Sequence, residues 1–150
     1  MSLSTEIMTA LKAAMKSKDQ TALTALRAVK SAILLAQTES GAKQELTEEQ
    51  ELKILQKQVK QRKDSAALFL EQNREDLAEP ELAEAKVISQ FLPEALSEED
   101  VAKAVQAVII KTGAQGMKDM GKVMGMVSQE LAGRADGKTI SNIVKAELNK

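Results

Sequence analysis

Apolar residues recur at spacings of three and four along nearly the whole chain, and short polar stretches carrying Ser, Thr, Asp, Gly or Pro separate the runs. That is the period of amphipathic helices with 3.6 residues per turn. Leu3, Ile7, Leu11, Ala14 and Met15 define a first helix, with Ser2 or Ser4 as its cap and SKDQ as its end. Asp19 then caps a second, whose apolar side is Leu23, Leu26, Ile33 and Ala36 with Val29 and Leu34 alongside, to about Thr38. A loop with Gly41 as breaker follows. Thr47 with Gln50 three residues on has the form of a capping box, each side chain bonding a free backbone N–H of the other. It opens a long third helix with the seam Leu55, Val59, Arg62, Ala66 and Phe69. The arginine in that row must snorkel or find a carboxylate, because an unpaired buried charge is costly. Lys53, Lys57 and Lys60 form a solvated stripe on another side.

A helix accepts proline in its first turn, so Pro80 predicts that the fourth helix starts between Asp76 and Pro80 and runs through Val87, Ile88 and Phe91 to Leu92, with Pro93 ending it. Glu79, Glu81 and Glu84 lack the fixed spacing of a calcium loop and read as a solvated face. Ser97 caps a fifth helix with Val101, Ala104, Val105 and Val108 on one side, ending at Thr112-Gly113. Met120, Val123, Met124, Val127 and Leu131 line the next helix, which Gly133 closes. Asp136 caps the last, which carries Ile140, Ile143, Val144 and Leu148. The expected fold is all-α, with a four-helix part over residues 1–93 and a small three-helix lobe over 94–150.

Gly121 and Gly125 interrupt that pattern. Each interior helix glycine costs about 1 kcal/mol relative to alanine, and four residues apart the two share one side. The ordinary reading is a close helix–helix contact inside the fold. The alternative is a shallow groove open to another backbone, including a sugar-phosphate chain.

Composition then removes several chemistries. The chain has no Cys and no His, hence no disulfide, no thiolate nucleophile and none of the usual neutral-pH general bases or transition-metal ligands. No catalytic residue, metal site or cofactor is expected. Without Trp or Tyr, and with only Phe69 and Phe91, base-stacking platforms are not expected either. No apolar run is long enough to span a bilayer and no leader pattern opens the chain, so a cytoplasmic, membrane-free protein is expected. From Val101 onward eight Lys and Arg stand against four Asp and Glu, a net +4, while the preceding 100 residues carry −5. A polyanion partner is therefore permitted.

The succession RAVKSAI (27–33), QVKQRKDS (58–65), NREDLA (73–78), FLP (91–93), KDMGKVMG (118–125) and GRADGK (133–138) closely resembles the GatB/YqeY family: YqeY-like proteins and the C-terminal region of the GatB component of the aspartyl/glutamyl-tRNA amidotransferase. The likeness runs from about Thr5 to Leu148. It implies a four-helix part followed by a three-helix part, and a tail associated with tRNA, while the glutaminase and kinase chemistry lies elsewhere in that complex. By family alone the chain is a component of a carbon–nitrogen ligase with glutamine as amide donor. Its own residues fit an RNA-binding accessory module in translation. In that reading Lys118, Lys122, Arg134 and Lys138 contact phosphates, Lys111 and Lys145 add field, and Gly121 and Gly125 admit the backbone. Structured RNA, tRNA above all, is the expected partner, and DNA is not. Two other readings compete. A Ser-Lys amidase would draw on Ser31, Ser65, Ser89, Ser128 or Ser141. A protein-binding module, for instance for a translation-related protein, would use Met117, Met120, Met124 and Met126, whose ordinary place is the core.

Overall fold

The computed structural model describes residues 2–39 and 45–150, and all the regular structure there is helical. Gly41 lies outside the described residues. The chain divides into two compact units, Met1–Leu92 and Pro93–Lys150.

The first unit contains α1 (Leu3–Ser17), α2 (Gln20–Thr38), α3 (Glu48–Glu71) and α4 (Glu75–Ser89). Ser2, Asp19 and Thr47 cap the first three by accepting from backbone N–H groups three residues on, and Thr47 and Gln50 complete the reciprocal capping box. Ile7, Leu11, Leu26, Val29, Ile33, Leu55, Val59 and Ile88 meet in one core. Met15 does not join them; it is 56% exposed. The most extensive pairing is between α3 and α4, whose alanines Ala66 and Ala78 are both 1% exposed.

Arg62 resolves as the seam required. Its Nε lies 3.4 Å from Glu84 Oε1, and Nη1 donates to the Gln58 side-chain oxygen at 2.8 Å and the Gln58 carbonyl at 3.2 Å. Glu84 therefore faces α3 with only 15% of its side chain exposed, not the solvated face expected of it.

The fourth helix differs from expectation at both ends. Asn73 takes a left-handed conformation (φ 58°), which lets the Arg74 N–H reach back to the Phe69 carbonyl at 2.8 Å and makes the α3–α4 turn very tight. The next helix then begins at once, at Glu75, and Pro80 falls in its second turn. The proline's missing N–H belongs to an exposed stretch where water can take the place of the lost donor. At the other end α4 stops at Ser89; Phe91 and Leu92 continue as a tight turn, their N–H groups bonded three residues back, and pack on the core from outside the helix.

The second unit contains α5 (Glu98–Thr112), a short 3-10 turn (Met117–Asp119), α6 (Met120–Glu130) and α7 (Gly137–Leu148). Ser97 and Asp136 cap α5 and α7. Val101, Val105, Val108, Val123, Val127, Ile140 and Val144, all 2% exposed or less, form its core. Gly113 closes α5 in the left-handed region (φ 66°). Gly133 is also left-handed (φ 80°), but α6 itself ends at Glu130, and Gly133 shapes the turn that follows.

Candidate functional site

In the second unit the Leu96 N–H donates to the Arg134 carbonyl at 2.9 Å, which ties the start of α5 to the start of α7. Further along, the Gln106 amide donates to the Glu147 carboxylate at 3.2 Å. The two helices therefore run side by side in the same direction, and α6 runs back against both. The outer furrow between α5 and α7 is lined by Glu98, Glu99 and Glu147.

Several cations lie outside that furrow. With Ile140, Val144 and Leu148 turned to the core and Ile143 and Glu147 to the α5 furrow, helical spacing puts Lys138 and Lys145 on the remaining flank of α7, toward α6. On α6 the core takes Val123 and Val127, which turns Gly121, Lys122 and Gly125 outward together; all three are exposed. Lys118 is exposed in the 3-10 turn just before them, and Lys111 in the last turn of α5. Arg134 sits at the far end of α6, where its Nε approaches the Glu94 carbonyl at 3.4 Å.

Among the described residues, none of Lys111, Lys118, Lys122, Arg134, Lys138 and Lys145 makes an ion pair, whereas Lys103 and Lys150 of the same unit do, with Glu99 at 3.7 Å and Glu147 at 2.8 Å. These six side chains keep their charge without a paired carboxylate, although Asp119, Glu130 and Asp136 stand on or next to the same elements.

Two sequence expectations change here. The +4 surplus belongs to a count begun at Val101. The structural unit begins at Pro93 and takes in Glu94, Glu98, Glu99 and Asp100, so it holds eight cations and eight anions. The strip of unpartnered cations is therefore local and does not come from an excess of positive charge. The second change concerns the glycines. A Cβ at Gly121 or Gly125 would meet nothing within 4 Å among the described residues, so no neighbouring helix of the second unit presses on them and the close internal contact is not there. What remains is a smooth, open strip of helix backbone beside lysines.

The acidic furrow is not legible in the sequence, because its two sides are separated by the whole of α6 and its turns. The Ser89 hydroxyl donates to the Ala85 carbonyl at 2.8 Å, and among the described residues no serine hydroxyl is hydrogen-bonded to a lysine. Met120, Met124 and Met126 pack against the core, leaving Met117 as the exposed methionine of the four. Among the described residues no group of acidic side chains is arranged to hold a metal, and no helix is long and apolar enough to cross a membrane.

Known proteins place the chain. It is 32% identical over 127 residues to the altered inheritance of mitochondria protein 41, mitochondrial, of Pyrenophora tritici-repentis, covering 83% of this chain and 68% of that one. The protein of the same name from Clavispora lusitaniae is 34% identical over 125 residues, covering 81% and 72%. The E-type component of the glutamyl-tRNA(Gln) amidotransferase of Thermococcus gammatolerans is 35% identical over 75 residues, which are 47% of this chain and 12% of that protein. The family described as YqeY-like protein matches residues 4–148. With that match spanning nearly its whole length, the chain, all-helical in its described regular structure, belongs to the YqeY-like family.

Proposed function

We propose that this protein is a non-catalytic RNA-binding accessory module, with tRNA as its preferred ligand, and that it docks through the α6 side of its second unit. The observation that carries the reading is the set of six cations without ion-pair partners on and around α6, outside the furrow between α5 and α7. Lys118 and Lys122 flank Gly121 and Gly125, whose open backbone lets a sugar-phosphate chain come close. Lys138 and Lys145 extend the charge along α7, and Lys111 and Arg134 mark its two ends. Similarity to one component of an enzyme named for its tRNA substrate favours tRNA over other polyanions.

Such contacts position an RNA by charge and shape, since the second unit has no aromatic side chain to stack on bases. If about four phosphates are neutralised, log affinity falls against log salt with a slope near −3 to −4. Titration of labelled tRNA with the full chain at several salt concentrations tests this. Binding with that slope supports the reading; no binding at tens of micromolar, or binding indifferent to salt, sinks it.

A further inference from the structure

The furrow between α5 and α7 is a groove of ≈ 390 Å³ with a character opposite to the α6 side. Its lining mixes Ala102, Ile143 and Ala146 with the polar Thr139 and Asn142, while Glu98 and Glu99 stand on the α5 side and Glu147 on the α7 side. Glu147 is largely occupied, accepting from Lys150 and Gln106. Glu99 has only a 3.7 Å approach from Lys103, with its side chain 81% exposed. Glu98 makes no ion pair among the described residues.

We propose that this groove receives a basic amphipathic helix of a partner protein. Three properties select that occupant. The walls are two helices running in the same direction, and the furrow between such helices accepts the ridge of a third. Each wall carries an alanine, Ala102 on α5 and Ala146 on α7, where an incoming helix can come close, and the lysine or arginine flanks of an amphipathic helix fall opposite Glu98 and Glu99. An extended strand finds no sheet edge here, because helical walls bond their own backbone groups. Phosphate is repelled by the same carboxylates, which separates this groove from the proposed RNA side. The proposal does not depend on RNA binding.

The test uses the full chain, labelled for NMR, and a synthetic peptide of about 18 residues, five helical turns, with leucine and alanine at i, i+3, i+4 and i+7 and lysine on both flanks. A second peptide carries glutamate in place of every lysine. The expected result is saturable shifts at Ala102, Ile143 and Ala146 with the lysine peptide and none with the glutamate peptide. The double variant Glu98→Gln/Glu99→Gln should weaken binding about tenfold. Ala146→Arg, at an exposed position, should block it while shifts elsewhere in the spectrum stay in place. Shifts confined to the acidic residues of the first unit, equal response to both peptides, or unchanged affinity in both variants would overturn the proposal. Self-association of the chain that the lysine peptide fails to displace would overturn it too, in favour of a second copy as occupant.

Discussion

The Glu51 carboxylate accepts both the backbone N–H of Ser4 at 3.1 Å and its hydroxyl at 3.0 Å, across 47 residues of sequence. One oxygen thereby holds the first turn of α1 onto the first turn of α3, and Glu51 is the one buried charged residue among those described, 7% exposed. A carboxylate taken out of water needs such donors, and hydrogen bonds to charged groups contribute about 1.5–3 kcal/mol each. Ser4→Ala, which leaves the carboxylate one donor short, is therefore expected to lower stability by about 1–3 kcal/mol. Urea denaturation followed by circular dichroism at a helical wavelength checks it, and a change within a few tenths of a kcal/mol would show that the tie does not matter.

Arg62 and Glu84 offer a sharper test, because a pair and its halves behave differently. Both side chains are mostly buried, 12% and 15% exposed. Removing the arginine alone strands a carboxylate, whereas replacing both leaves no charge behind. Arg62→Met is expected to cost about 2–4 kcal/mol, somewhat less than the roughly 3–5 kcal/mol of a fully buried pair. Arg62→Met/Glu84→Leu should recover much of that loss in the same denaturation experiment. Equal destabilisation by single and double variants would assign the effect to packing.

At the two open glycines of α6, stability and function are expected to move in opposite directions. A methyl group there meets nothing, so Gly121→Ala and Gly125→Ala should each stabilise the helix by about 0.5–1 kcal/mol. The same methyl stands in the path of an approaching RNA backbone. Affinity for tRNA should therefore fall several-fold in the double variant with the salt slope unchanged, since no charge is lost. Thermal melts and the tRNA titration read the two effects separately.

Neutralising lysines should change the slope. If Lys118 and Lys122 each displace about one counterion, Lys118→Gln/Lys122→Gln is expected to flatten the log–log salt dependence by about 1.4–1.8. Lys103→Gln is the control: that side chain already pairs with Glu99 on the opposite side of the unit, and its loss should leave the slope alone.

The Glu147 carboxyl is held below the usual carboxylate range by the hydrogen bond from Lys150, against desolvation that raises it, with Gln106 adding a smaller push downward. A folded pKa lower than the unfolded one means stability that is complete above the ordinary value of 4.5 and is lost as pH falls through the lower folded value. Carboxyl NMR titration should find the Glu147 midpoint below 4.5. Glu147→Gln should remove the part of the acid sensitivity that this group supplies.

Much of the fold is legible in the sequence where the deciding interaction spans three or four residues. Ser2, Asp19, Thr47, Ser97 and Asp136 all cap the helices their positions indicate, because a cap is a contact between near neighbours. The α3–α4 turn is harder to read. Nothing in the side chain of Asn73 demands the left-handed conformation; the demand comes from α4 having to pack back along α3. Glu51 has the look of an ordinary first-turn acid, and only the approach of α1 turns it into a buried acceptor. The candidate site divides in the same way. Its lysines and glycines stand out by type and spacing. Their lack of ion-pair partners, their common side and the emptiness beside the glycines depend on how α5, α6 and α7 are arranged in space.

That the second unit carries equal numbers of opposite charges has an electrical consequence. Such a body has almost no monopole, so a distant polyanion exerts little net pull on it, and only the local field beside its unpartnered lysines is felt, at short range. In the proposed docking, binding would then be decided at the moment of contact and not by attraction from afar.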